Sequence, residues 1–295
     1  MGTAGVAVFR QLEPLPEREQ TQLQLLRECL ASLARVCVAY SGGVDSALVA
    51  AIAREQLGSN AFAVTGVSPA LAPYLLEEAR QQAAWIDIRH HECVTSELED
   101  PAYRKNPVDR CFACKRELHR HLGVIAKAAG GVQVVDGVNR DDLDEHRPGI
   151  DAARQVGVRS PLVELEIDKA AVRQISRALG FPWWDKPAQP CLASRFPYGN
   201  SISAQRLQQV GLAEAWLRTN GFPEVRVRCH GLAARIEVRA DRIEALLLDL
   251  DRMEVVGHFL DLGFTSVSLD LEGLVSGKLN RSIQADSGAG KSMPA

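Results

Sequence analysis

No run of about 18 or more consecutive apolar residues occurs in the 295-residue chain, so a membrane-spanning helix is not expected. A secretory leader is missing too: MGTAGVAVFRQLEPLPEREQ carries a short apolar patch without a basic start or a full apolar core. MGTAGV also lacks the Ser or Thr that closes a myristoylation signal. Charge is nearly balanced, with 34 Lys and Arg against 37 Asp and Glu and a net charge of −3. That balance excludes a global electrostatic footprint for nucleic acid. No internal repeat and no recognisable RNA-binding module is present. Hydrophobic residues make up 46% and charged residues 24%, the balance of a globular protein with no membrane partner. Cysteine is sparse and odd in number, with seven residues. Without an export signal this predicts a cytoplasmic location and reduced thiols rather than a disulfide framework. Clustered cysteines then become candidates for metal binding or catalysis.

What is present is an α/β pattern. Residues 15–34, LPEREQTQLQLLRECLASLA, predict an amphipathic helix with Leu23, Leu26 and Leu30 near helical spacing. RVCVAY follows as the short apolar run of a buried parallel strand. The alternation continues with a helix over 44–57, a strand AFAVTGV, a helix over 73–84, a strand within WIDIRHHECV, a helix over 112–129 and a strand VQVVDGV. Strands separated by helical segments imply βαβ units and a parallel sheet. Asp168 suits the N-cap of KAAVRQISRALG, with Gly180 and Pro182 as stop signals. From about residue 200 the texture changes. A helix over 203–219 leads into EVRVRCHG and ARIEVRA, then two helical segments and FTSVSLDL. The expected organisation is an α/β domain over 1–199, N-terminal helix included, a smaller α+β domain over 200–280, and a tail over 281–295. QADSGAGKSMPA in that tail lacks periodicity and is expected to be disordered.

The most specific local signal is VCVAYSGGVDSALVAAIA. A buried strand runs into Ser41, Gly42, Gly43, Val44, Asp45 and Ser46, and a helix starts at once. The glycines permit a tight turn and let backbone N–H groups approach an anion, while the helix N-terminus adds its positive pole. The Walker pattern and its lysine are absent. VVDGVNRDD places Asp136, Asn139, Asp141 and Asp142 just past a strand's C-terminal end, where open α/β sheets bind ligands.

Among the cysteines, Cys29, Cys37, Cys93 and Cys229 read as small structural residues. NPVDRCFACKRELH differs: Cys111 and Cys114 form a C-x2-C pair at a helix start among Arg110, Lys115 and Arg116, a setting that favours thiolate. His119 and His121 can complete a zinc site with them, a redox pair is a second option, and a cluster shared with a third cysteine is another. Cys191, in DKPAQPCLASRFPYG between Lys186 and Arg195, is that third cysteine. Three thiolates can hold a 4Fe-4S cluster and leave one iron open.

SGGVDS resembles the PP-loop of the ATP pyrophosphatase superfamily. Together with NPVDRCFACKRELH, VVDGVNRDDLDEHRPG, VRSPLVELEIDKAAVRQISRALGFPWWDKPAQPCLASRFPYG and VRVRCHGLAARIEV, it makes the chain similar to the LarE family over most of residues 20–270. These are the ATP-dependent pyridinium-3,5-biscarboxylic acid mononucleotide sulfurtransferases, which serve the nickel-pincer nucleotide cofactor of lactate racemase. The resemblance implies an adenine nucleotide alpha hydrolase-like PP-loop domain plus a smaller C-terminal domain, with ATP cleaved between its α and β phosphates. It assigns Ser41, Gly42, Gly43, Asp45, Ser46, Asp136 and Arg195 to ATP, with Asp45 holding Mg2+. Cys191 is then the catalytic residue. It acts either as a sacrificial sulfur donor left as dehydroalanine or, as the three-cysteine pattern of Cys111, Cys114 and Cys191 favours, as one ligand of a 4Fe-4S cluster carrying extra sulfide from an unidentified source. Arg226 and Arg228, two apart on a strand, face one way and suit a substrate phosphate. Glu214 and Glu237 are candidates for a further metal beside them. Arg195 can instead bind phosphate or keep the Cys191 thiol ionised. One departure from the pattern is VTGVSPALAP, where Gly66 and Val67 stand in place of smaller or polar residues, so adenine contacts there fall to the backbone. The family also implies a homo-oligomer, with a hexamer as one form. A PP-loop tRNA thiolase, an amide-forming ligase and a non-enzymatic nucleotide module are the competing readings; the charge balance opposes the first, and Cys191 is superfluous to the second.

Overall fold

The computed structural model describes residues 9–143, 148–275 and 277–281. The segment expected to be disordered, 284–295, lies outside the described residues. In chain order the elements are α1 (Glu17–Ala31), β1 (Val36–Ala39), α2 (Val44–Leu57), β2 (Ala61–Val67), α3 (Pro73–Ile86), β3 (Arg89–Val94), α4 (Pro101–Arg104), α5 (Arg110–Ala128), β4 (Gln133–Val135), α6 (Pro148–Gln155), α7 (Pro161–Glu164) and α8 (Lys169–Ala178). They continue as α9 (Ala204–Thr219), β5 (Val225–His230), β6 (Ala233–Val238), α10 (Ile243–Asp249), α11 (Arg252–Asp261) and β7 (Ser266–Leu269). The described residues form two compact units: those within 1–100 and 109–189, and those within 101–108 and 190–295.

The first unit is the expected α/β fold. Its sheet has the order β3-β2-β1-β4, with every pairing parallel. β1, VCVA, is buried at all four positions between its two neighbours, as a strand covered on both faces must be. α2 packs on it through an alanine-rich surface; Ala47, Ala50, Ala51 and Ala53 are all fully buried. Such small side chains bring helix and sheet close. The charges that α2 carries inward are paired, Arg54 with Asp87 at 2.5 Å and Glu55 with Arg27 at 2.9 Å. Leu23, Leu26 and Leu30 of α1 sit in the same core as Leu48 and Ile52.

Two boundaries differ from the sequence expectation. WIDI reads as the start of a strand, yet α3 continues through Trp85 and Ile86, because Ile86 completes the buried face of Leu75, Ala79 and Ala83. Asp87 then turns the chain with φ 59, a left-handed cap where the sequence supplies no glycine. VQVVDGV yields only three strand residues, since Asp136 and Gly137 leave the ladder toward the glycine loop. α6 and α7 have no counterpart in the predicted pattern.

In the second unit, β5 and β6 form an antiparallel hairpin whose turn includes Gly231 at φ 63, and β7 joins β6 in parallel. Leu207, Val210, Ala213 and Leu217 of α9 are buried with Val227, Ile236 and Val238 of the strands. Residues 101–108 belong here because Asn106, fully buried, donates to the Pro197 carbonyl at 2.8 Å and accepts from the Gly199 amide at 2.9 Å. No helix among the described residues is long and apolar enough to cross a membrane.

Candidate active site

The glycine loop is held open by its own serines. The Ser46 hydroxyl donates to the Gly43 carbonyl at 3.1 Å and accepts from the Ser41 amide at 3.2 Å. Gly42 adopts φ +67, and a Cβ there would meet Ala79 Cβ at 2.9 Å. Gly43 is the N-cap of α2 and makes no side-chain cap, so no capping side chain claims the first amides of the helix. This is an anion cradle of backbone donors at a helix's positive pole.

Gly137 completes it. A Cβ at Gly137 would lie 2.5 Å from the Ser46 amide nitrogen, so the chain after β4 is pressed against the loop at a distance only glycine permits. Beyond it, buried Asn139 donates to Asp45 Oδ1 at 3.2 Å and accepts from the Asp141 amide at 2.9 Å. Asp142 in turn accepts from the Asn139 amide at 3.0 Å. Asp136 is 3% exposed. Burial pushes its carboxyl above the ordinary range, while Lys115 and a hydrogen bond from Ser160 pull it back.

Cations surround this loop although the Walker lysine is absent. Lys169, at the start of α8, holds Asp45 Oδ2 at 2.5 Å, and Lys186 donates to the Gly42 carbonyl at 2.9 Å while pairing with Glu78 at 2.7 Å. Lys115 follows the C-x2-C pair on α5. Sequence reasoning passed over Lys169, Lys186 and Gly137 as site residues. Gly137 had a detectable signal, a glycine breaking a strand pattern beside an acidic turn. The two lysines had none, being 124 and 144 residues from their partners.

Cys111 and Cys114 lie in the first turn of α5, Cys111 exposed and Cys114 partly so. On the same helix His119 is buried, both its ring nitrogens lack a hydrogen-bond partner among the described residues, and burial followed by the Lys115 charge pushes its pKa down to about 4. His121 instead bonds Glu117 at 2.9 Å. Burial pushes the Cys37 thiol up to about 12 and raises Cys29, Cys93 and Cys229, which makes these four thiols poor nucleophiles. Gly66 lies against α5, where an added Cβ would meet Leu118 at 2.8 Å.

The second unit carries Cys191, partly exposed, at the head of a single tight turn (Leu192–Arg195). Its carbonyl accepts from the Ser194 amide at 3.0 Å and the Ser194 hydroxyl at 2.8 Å. Arg195 pairs with Glu214 through Nε at 2.6 Å and Nη2 at 3.0 Å, with both side chains 2% exposed. Glu214 Oε1 also accepts from the Val227 amide at 2.9 Å. Arg228 donates to Glu237 at 2.9 Å and to the Ser194 carbonyl at 2.7 Å. Two buried ion pairs therefore clamp the Cys191 turn to α9 and the hairpin. Arg226 opposes Glu237 across the strands, is half-buried, and has no hydrogen-bond partner among the described residues. Burial, then Arg195 and Arg228, lower its pKa. The five charged residues picked from sequence are thus gathered in one unit with Cys191.

For an acceptor site the donor sets are chemically apt. Asp45 offers a hard carboxylate at the mouth of the cradle, suited to Mg2+. Cys111, Cys114 and Cys191 are soft donors suited to iron. Among the described residues, no three His, Cys, Asp or Glu side chains are grouped as metal ligands.

Comparison with known proteins adds three relatives and one family model. A model described as asparagine synthase matches residues 23–111. An uncharacterised protein of Synechocystis sp. is 53% identical over 262 residues, 89% of this chain and 98% of that one. The pyridinium-3,5-bisthiocarboxylic acid mononucleotide synthase of Lactiplantibacillus plantarum is 36% identical over 261 residues, 88% of this chain and 94% of that protein. An uncharacterised protein of Methanocaldococcus jannaschii is 28% identical over 238 residues, 81% of this chain and 90% of its own length.

Proposed function

Given that the chain belongs to the LarE-like family of PP-loop proteins, the family of the L. plantarum synthase, we propose that it is an ATP-dependent sulfurtransferase. It adenylates carboxylates of pyridinium-3,5-biscarboxylic acid mononucleotide and converts them to thiocarboxylates on the route to the nickel-pincer nucleotide of lactate racemase. What carries the reading is 36% identity across 94% of a protein named for that product, on a chain whose SGGVDS segment folds as an anion cradle.

The chemistry follows from the parts. A substrate carboxylate oxygen attacks the α-phosphorus of ATP, the bond to the bridging oxygen breaks, and pyrophosphate leaves onto the Ser41–Ser46 amides. Mg2+, held by Asp45, would neutralise phosphate charge there. The acyl adenylate has AMP as its leaving group, where the free carboxylate offers none. Attack by a sulfur nucleophile on the acyl carbon expels AMP and leaves the thiocarboxylate. Arg226, which has no hydrogen-bond partner among the described residues, is suited to the substrate's phosphate, and the Arg195–Glu214 and Arg228–Glu237 pairs hold the Cys191 turn against the hairpin while it reacts.

Sulfur has two sources. Cys111, Cys114 and Cys191 would hold a 4Fe-4S cluster, which supplies exchangeable sulfide from an external source. Alternatively the Cys191 thiolate attacks the adenylate itself, and loss of its Cα proton with Cβ–S cleavage releases the thiocarboxylate and leaves dehydroalanine. The three thiols support the cluster route. We also read the protein as a cytoplasmic homo-oligomer, a hexamer by family likeness, with no nucleic-acid partner.

The test is an anaerobic reaction of iron- and sulfide-reconstituted protein with ATP, Mg2+ and the biscarboxylate mononucleotide. AMP, pyrophosphate and thiolated product appear together, with more than one product per chain. ATP cleavage that ignores the mononucleotide overturns the reading. A single product per iron-free chain, with mass loss of one hydrogen sulfide at Cys191, selects the sacrificial route.

A further inference from the structure

The PP-loop has no lysine of its own, and its one carboxylate, Asp45, is already occupied by an ammonium. Lys169 Nζ lies 2.5 Å from Asp45 Oδ2, with the two side chains 30% and 20% exposed. The lysine's root is fixed. Its amide donates to Asp141 Oδ2 at 3.0 Å, and the preceding residue, Asp168, caps α8 by accepting from the Ala171 amide at 2.8 Å. Asp168 is itself tied to Arg18 at 2.7 Å. Its tip is different: a four-carbon stem carries one compact charge at the mouth of the cradle, bonded to a single carboxylate oxygen. The other oxygen of Asp45 is kept in place by Asn139, so Asp45 does not move if Lys169 leaves.

Lys186 cannot play the same part, since it is committed to both Glu78 and the Gly42 carbonyl. Lys115 lies near enough to Asp136 for its charge to pull that carboxyl down, and no ion pair between Lys115 and Asp45 occurs among the described residues. Lys169 is thus placed where a divalent cation on Asp45 would sit, and two cations cannot share that oxygen without strong repulsion. A triphosphate in the cradle brings several negative charges within the reach of the same stem.

We propose that Lys169 is the counter-ion that fills the cation position of Asp45 in the nucleotide-free protein and transfers to the triphosphate when a metal–ATP complex binds. The inference rests on the ATP reading above. It gives the loop the mobile phosphate-handling lysine that its sequence lacks, and it makes free metal a weak ligand until nucleotide arrives, so that metal enters with its ATP.

The full chain is compared with Lys169→Met and Lys169→Arg. Mn2+ alone is followed by electron paramagnetic resonance, and ATP in excess EDTA by calorimetry. Lys169→Met binds Mn2+ about tenfold more tightly than wild type, because its competitor is gone, and binds metal-free ATP about tenfold more weakly. Lys169→Arg restores the ATP affinity. The opposed signs separate this role from a structural one: both affinities falling together, or neither changing, overturns the proposal. Unchanged thermal melting shows that the variants fold. Wild-type protein that binds no ATP with or without Mg2+ overturns the ATP reading itself, and the proposal with it.

Discussion

The two chemical regions are built from different materials. The loop of the first unit is made of backbone: glycines at 42, 43 and 137, amides at a helix start, and serine hydroxyls that bond within the loop. The region around Cys191 is made of side chains, with four charged groups buried in two ion pairs. The backbone cradle has no room for a Cβ at Gly42 or Gly137. A buried charged clamp is held by its ion pairs and tolerates no lost partner. One site is therefore sensitive to adding an atom and the other to removing one.

The largest expected effect tests the clamp. Glu214→Ala leaves Arg195 charged and buried and takes the acceptor from the Val227 amide, which costs about 3–5 kcal/mol of stability in urea unfolding. ATP affinity of the remaining folded protein is unchanged. A cost under about 1 kcal/mol, the value of a surface pair, breaks the contrast.

The smaller effect tests the cradle. Gly137→Ala forces a methyl against the Ser46 amide and costs about 1–3 kcal/mol, as overpacking does. Here ATP affinity falls at least tenfold, by calorimetry. Stability loss with full ATP affinity sinks the claim that Gly137 shapes the loop.

The same contrast explains what the sequence made legible. A backbone site must be local, so SGGVDS was readable as strand, turn and helix, and the parallel sheet followed from alternation around it. Its long-range supports were not readable. Nothing in the vicinity of Lys169 or Lys186 reports a partner more than a hundred residues away, as the separations of 124 and 144 show. In the second unit Arg226 and Arg228 could be placed on one face by the period of a strand, but Glu214 and Glu237 came only through family resemblance, and their pairing to Arg195 and Arg228 had no local signature. The α3 boundary failed for a related reason. The helix expected to stop at residue 84 runs on to Ile86, whose burial on the helix face sets its end, and the expected strand forms over Arg89–Val94.

The proposed sulfur transfer depends on one thiol, Cys191 of the second unit. Cys191→Ala, reconstituted and assayed as wild type, binds ATP with unchanged affinity and yields no thiolated mononucleotide. Thiolated product from that variant at the wild-type rate would contradict the account.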